Sequence, residues 1–129
     1  MEDEITQVKE MIKNHATHFL KEMKEFYPFG IQLENNGTLR PVNIYENEYP
    51  ESQILIDKLN EYFEQQIINK KVKVVGIGLD IFYTPAGSDI KKTAIEIRIY
   101  HIDGISRTYK IIYLIDNIGN LLFEEEFFE

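Results

Sequence analysis

Hydrophobic residues recur at three- and four-residue steps in two stretches of the chain, which predicts two amphipathic helices. The first is predicted from Asp3 to Phe26 and the second from Glu51 to Asn69. The inner faces are predicted to comprise Ile5, Val8, Ile12, His15, Phe19, Met23 and Phe26, and Leu55, Ile56, Leu59, Tyr62, Phe63 and Ile67. Pro28 stops the first helix, and Pro50 suits the start of the second because its missing N–H would be unpaired there.

Stretches rich in Ile, Val and Tyr predict β-strands over most of the remaining chain. The predicted strands are 30–34, 38–46, 71–83, 92–102, 105–116 and 121–128, with 124–129 alternatively an acidic tail. The turn sequence Asn35-Asn36-Gly37 joins the first two, and Pro41 favours an edge position because proline cannot donate to a ladder. The short links between the later strands predict antiparallel neighbours.

The link at Asp103-Gly104 predicts how the two strands beside it pair. A three-residue loop with Gly104 in the left-handed region places Ile95 opposite Ile111 and Glu96 opposite Lys110. This register keeps apolar side chains on one face and pairs opposite charges on the other, whereas a two-residue turn mixes the faces.

These elements predict a two-layer α+β fold and a single domain over residues 1–129. Both helices are expected on one face of a mainly antiparallel sheet of about five to six strands. Phe26 and Phe29 are expected to be buried where the first helix passes into the sheet, with Gly30 close to neighbouring backbone. Gly76-Ile77-Gly78 lacks the third glycine of a nucleotide-binding fingerprint, so it predicts either tight packing or a bulge where a helix crosses the sheet.

Composition excludes several classes of protein and gives a first indication of location. The chain has 22 acidic and 14 basic residues, a net charge of −8, which disfavours a nucleic-acid binder. It has no cysteine, hence no disulfide, reactive thiol or cysteine-bound metal, and no apolar run of the roughly 20 residues that span a membrane. The acidic start Met1-Glu2-Asp3-Glu4 is unlike a signal peptide and predicts a cytoplasmic protein.

Three short motifs resemble those of a group of small, uncharacterised bacterial α+β proteins. They are Phe26-Tyr27-Pro28-Phe29-Gly30 after a helix with His18-Phe19-Leu20, then Ala94-Ile95-Glu96-Ile97, and then His101-Ile102-Asp103-Gly104. The resemblance covers most of the chain and implies an intracellular bacterial domain. Some similar small acidic α+β proteins are immunity partners of secreted toxins. The resemblance brings no catalytic residues with it.

Two groups of residues are candidates for catalysis or metal binding. His15 and His18 share one side of the first helix and, with Glu22, suggest part of a metal site. The simpler interpretation is that His15 is a partly buried polar residue on an apolar stripe. Asp80 with Glu96-Ile97-Arg98 resembles the metal-binding layout of a class of nucleases, but Arg98 stands where that class has lysine, and guanidinium is a poor proton shuttle. No catalytic residue, metal or cofactor is therefore predicted.

Negative charge is concentrated between residues 34 and 64, which contain seven acidic and two basic side chains. The residues predicted to bind a partner are Tyr45, Glu46, Glu48, Tyr49, Glu51, Asp57 and Glu61. Aromatic rings among carboxylates suit a protein partner with a basic surface, so the leading hypothesis is an acidic immunity or inhibitor protein against a basic toxin. The alternatives are a merely solvated helix face, an enzyme or metal-binding protein using His15 and His18, and a homo-oligomeric structural protein, for which a homodimer is open.

Overall fold

The computed structural model describes residues 2–46 and 49–128, in which two helices pack against a six-stranded antiparallel sheet. The elements are α1 (Glu2–Met23), β1 (Phe29–Glu34), β2 (Leu39–Val42), α2 (Ser52–Ile68), β3 (Val72–Tyr83), β4 (Lys92–His101), β5 (Ile105–Ile115) and β6 (Leu121–Phe128). The strand order is β2-β1-β3-β4-β5-β6. The predicted α+β class and antiparallel sheet are confirmed. No helix in the described part of the chain is long and apolar enough to cross a membrane.

The predicted register of β4 and β5 is confirmed. Ile95 pairs with Ile111 and Glu96 with Lys110, while Gly104 has a φ of +95° in the connecting loop. The last segment is a strand rather than a tail, because Leu121–Phe128 pairs with β5. The first helix ends at Met23, earlier than predicted, because Lys24 adopts a left-handed φ of 68° that ends the helical path.

Helix α1 packs directly on one face of β1, β3 and β4. Its buried side chains, from Ile5 to Leu20, join those of the three strands in the larger core. A Cβ at Gly76 would lie 2.6 Å from Ile12 Cδ1, and one at Gly78 would lie 2.8 Å from Ile12 Cγ2. The two glycines therefore allow the helix to approach the sheet closely, as their spacing predicted.

Helix α2 lies on the opposite face of the sheet, so the expectation that both helices share one face is wrong. Its buried residues Leu59 and Phe63 form a second core with Val75, Ile77 and Leu79 of β3. These three β3 residues alternate with those that face α1. The central strands are apolar on both faces, as in sheets covered on both sides, and a second helix on the α1 side would leave one face bare.

The expectation that Gly30 lies close to neighbouring backbone is also wrong. A Cβ at this position would lie 2.6 Å from the Cζ atom of Phe63 and 3.2 Å from Leu59. The close neighbours of Gly30 are therefore side chains of α2 and not backbone, because α2 packs across β1 as well as β3 on this face. Phe29, on the other face of β1, is 3% exposed, whereas Phe26 is only partly buried.

Candidate functional site

The residues predicted to bind a partner lie on α2 and on the link that precedes it. Tyr45 and Tyr49 of the link are 89% and 80% exposed. Glu51 occupies the N-cap position of α2 without a side-chain capping hydrogen bond, and Asp57 and Glu61 lie one turn apart on the outer face of the helix, all three exposed. Glu46 is also exposed, and Glu48 lies outside the described residues. We call Tyr45, Glu46, Tyr49, Glu51, Asp57 and Glu61 the acidic surface.

Many acidic side chains on other surfaces of the protein form ion pairs within the chain. The pairs are Glu2 with Arg107, Glu4 with His101 and Lys73, Glu34 with Arg40, Glu96 with Arg98 and Lys110, Glu124 with Lys92, and Glu126 with Lys9 and Lys13. The basic residues of the sheet are thus largely neutralised by acidic residues of the same chain. The excess negative charge of the chain therefore lies on carboxylates outside these ion pairs.

The acidic surface holds much of that excess. Lys58 forms an ion pair with Glu46, which ties the link to the flank of α2. Across residues 2–46 and 49–128, no cationic side chain lies within ion-pair distance of Glu51, Asp57 or Glu61. Asp57 accepts a hydrogen bond of 2.8 Å from Gln53. Because Asp57 and Glu61 are like charges one turn apart, they disfavour the isolated helix by a few tenths of a kcal/mol.

A cavity of about 900 Å³ opens beside this surface, where α1 ends and passes into β1. It is lined by residues from α1, its link to β1, the link before α2, and the ends of β3, β4 and β5. Its lining includes Phe19, Phe26, Phe29, Tyr45, Phe82 and Tyr113 with Glu25, Glu46, Asp80 and Lys24. Tyr45 and Glu46 belong both to the cavity and to the acidic surface, so the two features are continuous.

Asp80 is the half-buried carboxylate of this cavity. Its Oδ1 accepts a hydrogen bond of 2.5 Å from the Tyr113 hydroxyl, and its Oδ2 accepts one of 3.3 Å from the Phe26 N–H. Burial raises the pKa of Asp80, although both hydrogen bonds oppose this shift and the nearby Glu25 adds to it. Burial, followed by the bond to Asp80, also raises the pKa of Tyr113. The cavity thus contains a partly desolvated carboxylate that accepts two hydrogen bonds.

We expect Asp80 to make a pH-dependent contribution to stability that the Asp80→Asn variant lacks. A carboxyl pKa raised above its ordinary value of 3.8 favours the protonated folded state. The protonated Asp80 carboxyl therefore stabilises the folded protein fully at a pH below its pKa in the unfolded state. This stabilisation is lost as the pH rises through its pKa in the folded state. Urea denaturation from about pH 3 to about pH 7 should show the variant gaining stability relative to the unmodified protein. A difference that does not vary with pH would contradict the raised pKa.

The three histidines lie in different surroundings. The His15 ring is stacked on Phe29 with centroids 6.1 Å apart, and burial lowers the pKa of His15. His18 is exposed, and His101 is buried at the far end of β4, 2.9 Å from Glu4. The described residues contain no group of three or more side chains placed to hold a metal ion. His15 is a core-facing residue, as the simpler interpretation held.

The nuclease-like layout is also absent from the fold. Asp80 pairs with Ile95 across β3 and β4, and Glu96 pairs with Leu79. Because successive side chains of a strand point to opposite faces, Asp80 faces the α1 side and Glu96 the α2 side. The two carboxylates therefore cannot share a metal ion.

Sequence reasoning considered Asp80 only as part of that layout and missed its place in the cavity. The available signal was a carboxylate that interrupts the apolar run of β3 on the face turned toward Phe26 and Phe29. The acidic surface and the cavity are the two features on which a function can be argued. Comparison with protein-family models, curated protein sequences and solved structures finds no match to this chain.

Proposed function

We propose that the protein is a non-catalytic binding module whose acidic surface takes a basic protein partner. The observation that supports this proposal is the contrast in ion pairing. Most carboxylates on α1, β1, β4 and β6 have cationic partners within the chain, whereas Glu51, Asp57 and Glu61 have none in the described residues and lie on one surface. Unsatisfied charge of one sign on one surface attracts a partner of the opposite sign.

Tyr45 and Tyr49 supply what the carboxylates lack, namely apolar area for a tight interface. Tyrosine is enriched at interface hot spots because one rigid ring buries much area and its hydroxyl still forms a hydrogen bond. Both rings project almost wholly into solvent, where a partner could cover them. The carboxylates would pair with Arg or Lys of the partner. The most concrete form of the proposal is an immunity or inhibitor protein that occludes a basic toxin in the bacterial cytoplasm.

The edges of the sheet are less suited to self-association than this surface. The edge strand β2 has only four residues and contains Pro41, which cannot donate a hydrogen bond to an added strand. The other edge, β6, carries charged side chains along its length, with Glu124 and Glu126 paired to lysines of the same chain, and charged edge strands disfavour the addition of another strand. These features favour a different partner over a second copy of the chain.

Reversing the charge of Asp57 and Glu61 together should slow association with a basic partner about tenfold at low salt, because the acidic surface would no longer steer the encounter. The double variant Asp57→Lys/Glu61→Lys leaves the core intact, since both side chains are exposed. Association rates would be measured by stopped flow or surface plasmon resonance at several salt concentrations. The product of the adjoining gene is the first partner to test.

A matched control changes the same number of charges on other surfaces. Glu22 on α1 and Asp89 in the loop between β3 and β4 are exposed and belong neither to α2 nor to the link that precedes it. The double variant Glu22→Lys/Asp89→Lys should retain most of the association rate. If both double variants slow association equally, net charge alone is responsible. If neither does, the acidic surface is only a solvated helix face and the proposal fails.

A further inference from the structure

The cavity beside the acidic surface has a carboxylate without a counter-ion. Asp80 accepts its two hydrogen bonds from Tyr113 and from the Phe26 N–H, both of which are neutral donors. In the described part of the chain, no Lys, Arg or His lies within ion-pair distance of Asp80. A half-buried carboxylate held only by neutral donors retains a net negative potential.

Among the other charged residues of the lining, Glu25 reinforces this potential. It lies near enough to act on the carboxyl of Asp80 as a like charge, whereas the carboxylate of Glu46 is paired with Lys58. The one basic side chain of the lining, Lys24, donates a hydrogen bond of 3.2 Å to the Gly119 carbonyl and is thereby directed toward the β5–β6 turn. The cavity is therefore electrostatically suited to a cation.

The walls are aromatic, which indicates the kind of cation. Phe26 lies 5.6 Å from Phe29 and 6.2 Å from Phe19, centroid to centroid, so three rings form a continuous wall. At the rim, Lys91 Nζ lies 4.8 Å from the centroid of Phe82, so an ammonium group already packs on one ring of the lining. Aromatic faces attract organic ammonium groups, whereas a metal ion requires several oxygen or nitrogen ligands.

We propose that this cavity binds a free organic amine, an ammonium group on an aromatic or similarly apolar body, with Asp80 as its counter-ion. The ammonium would donate to Asp80 beside the Tyr113 hydroxyl, and the apolar body would lie against Phe19 and Phe26, the partly buried rings of the lining. A volume of about 900 Å³ is in the range of small-molecule sites, roughly 300–1,000 Å³, and exceeds what one lysine side chain of a protein would fill. This site is distinct from Asp57 and Glu61, so the inference does not depend on the proposed function.

The test compares two probes of the same shape and different charge, phenethylammonium and 2-phenylethanol. Binding would be followed by isothermal titration calorimetry and by amide chemical shifts in NMR. We expect phenethylammonium to bind at least about tenfold more tightly than the alcohol at about pH 7, a difference of about 1.4 kcal/mol. The saturable shift changes should be concentrated at Phe26, Asp80, Thr93 and Tyr113.

The Asp80→Asn variant should lose the preference for the ammonium probe while still accepting a hydrogen bond from Tyr113. Asp89→Asn removes a charge from an exposed loop outside the cavity and should keep the preference. Circular dichroism would show that both variants are folded. If Asp80→Asn is unfolded, the comparison of the two probes on the unmodified protein still decides the question.

Several results would overturn the proposal. Equal affinity for the two probes would show an apolar pocket in which Asp80 has no role. Absence of saturable binding of phenethylammonium up to about 10 mM would show that no such site exists. A lysine-containing peptide that displaces phenethylammonium and binds more tightly would assign the cavity to a protein side chain and not to a free amine. None of these results depends on how charge reversal at Asp57 and Glu61 affects association.

Discussion

Replacing Phe29 with Ala is expected to lower the free energy of unfolding by about 3–5 kcal/mol. The ring is 3% exposed and lies where α1, its link to β1, and the sheet meet. Its centroid is 5.4 Å from that of Phe19 and 5.6 Å from that of Phe26, both in edge-on geometry. It also packs over Gly78, which has no side chain to fill the space that truncation would leave. The cost therefore combines lost burial with a cavity that cannot collapse.

Urea denaturation monitored by circular dichroism would measure the change. Phe82→Ala is the matched control, because it removes the same atoms from a ring that is 72% exposed. That variant should cost less than about 1 kcal/mol, mainly through its cation–π contact with Lys91. If Phe29→Ala were no more destabilising than Phe82→Ala, the aromatic cluster would not be part of the core.

The elements and their pairing were predictable because their causes are local. The heptad-like spacing of α1 and the glycine at position 104 each act over a few residues. Once Gly104 fixes the loop, the register of Ile95 with Ile111 follows from alternation alone. The sequence did not lead us to predict that a helix covers the second face of the sheet. The signal was present, because apolar and polar residues do not alternate from Val74 to Leu79. A continuous apolar run indicates a strand covered on both faces, and this signal points to α2 on the side opposite α1.

The acidic surface was predictable in part because helix periodicity alone places Asp57 and Glu61 on the outer face of α2. Which carboxylates lack a partner was not predictable, since ion pairs join residues distant in the chain. Glu2 and Arg107 pair across 105 positions, and Lys92 and Glu124 across 32. The cavity was not predictable for the same reason, because its lining residues are also distant in the chain. It brings Phe26, Asp80 and Tyr113 together, and no pattern along the sequence relates these positions.

Reversing the charge of Glu96 is expected to destabilise the protein by about 3–5 kcal/mol, the cost of breaking a buried ion pair by changing one partner. Glu96 is 8% exposed on the α2 side of β4. Its Oε1 lies 3.5 Å from Lys110 Nζ on β5, and its Oε2 accepts a 2.8 Å hydrogen bond from Arg98. Glu96→Lys would put a third cation beside two others at a site with little water to screen them.

Glu124→Lys provides the matched control on the neighbouring part of the sheet. Glu124 pairs with Lys92 at 2.8 Å, but its side chain is 41% exposed, so the same reversal should cost less than about 1 kcal/mol. Adding Lys110→Glu to Glu96→Lys restores opposite charges across β4 and β5 and should recover part of the loss. The recovery, measured by urea denaturation of the four members of the cycle, reports the coupling between the two positions. A reversal at Glu96 as mild as the one at Glu124, or no recovery in the double variant, would show that this pair does not hold the β4–β5 register.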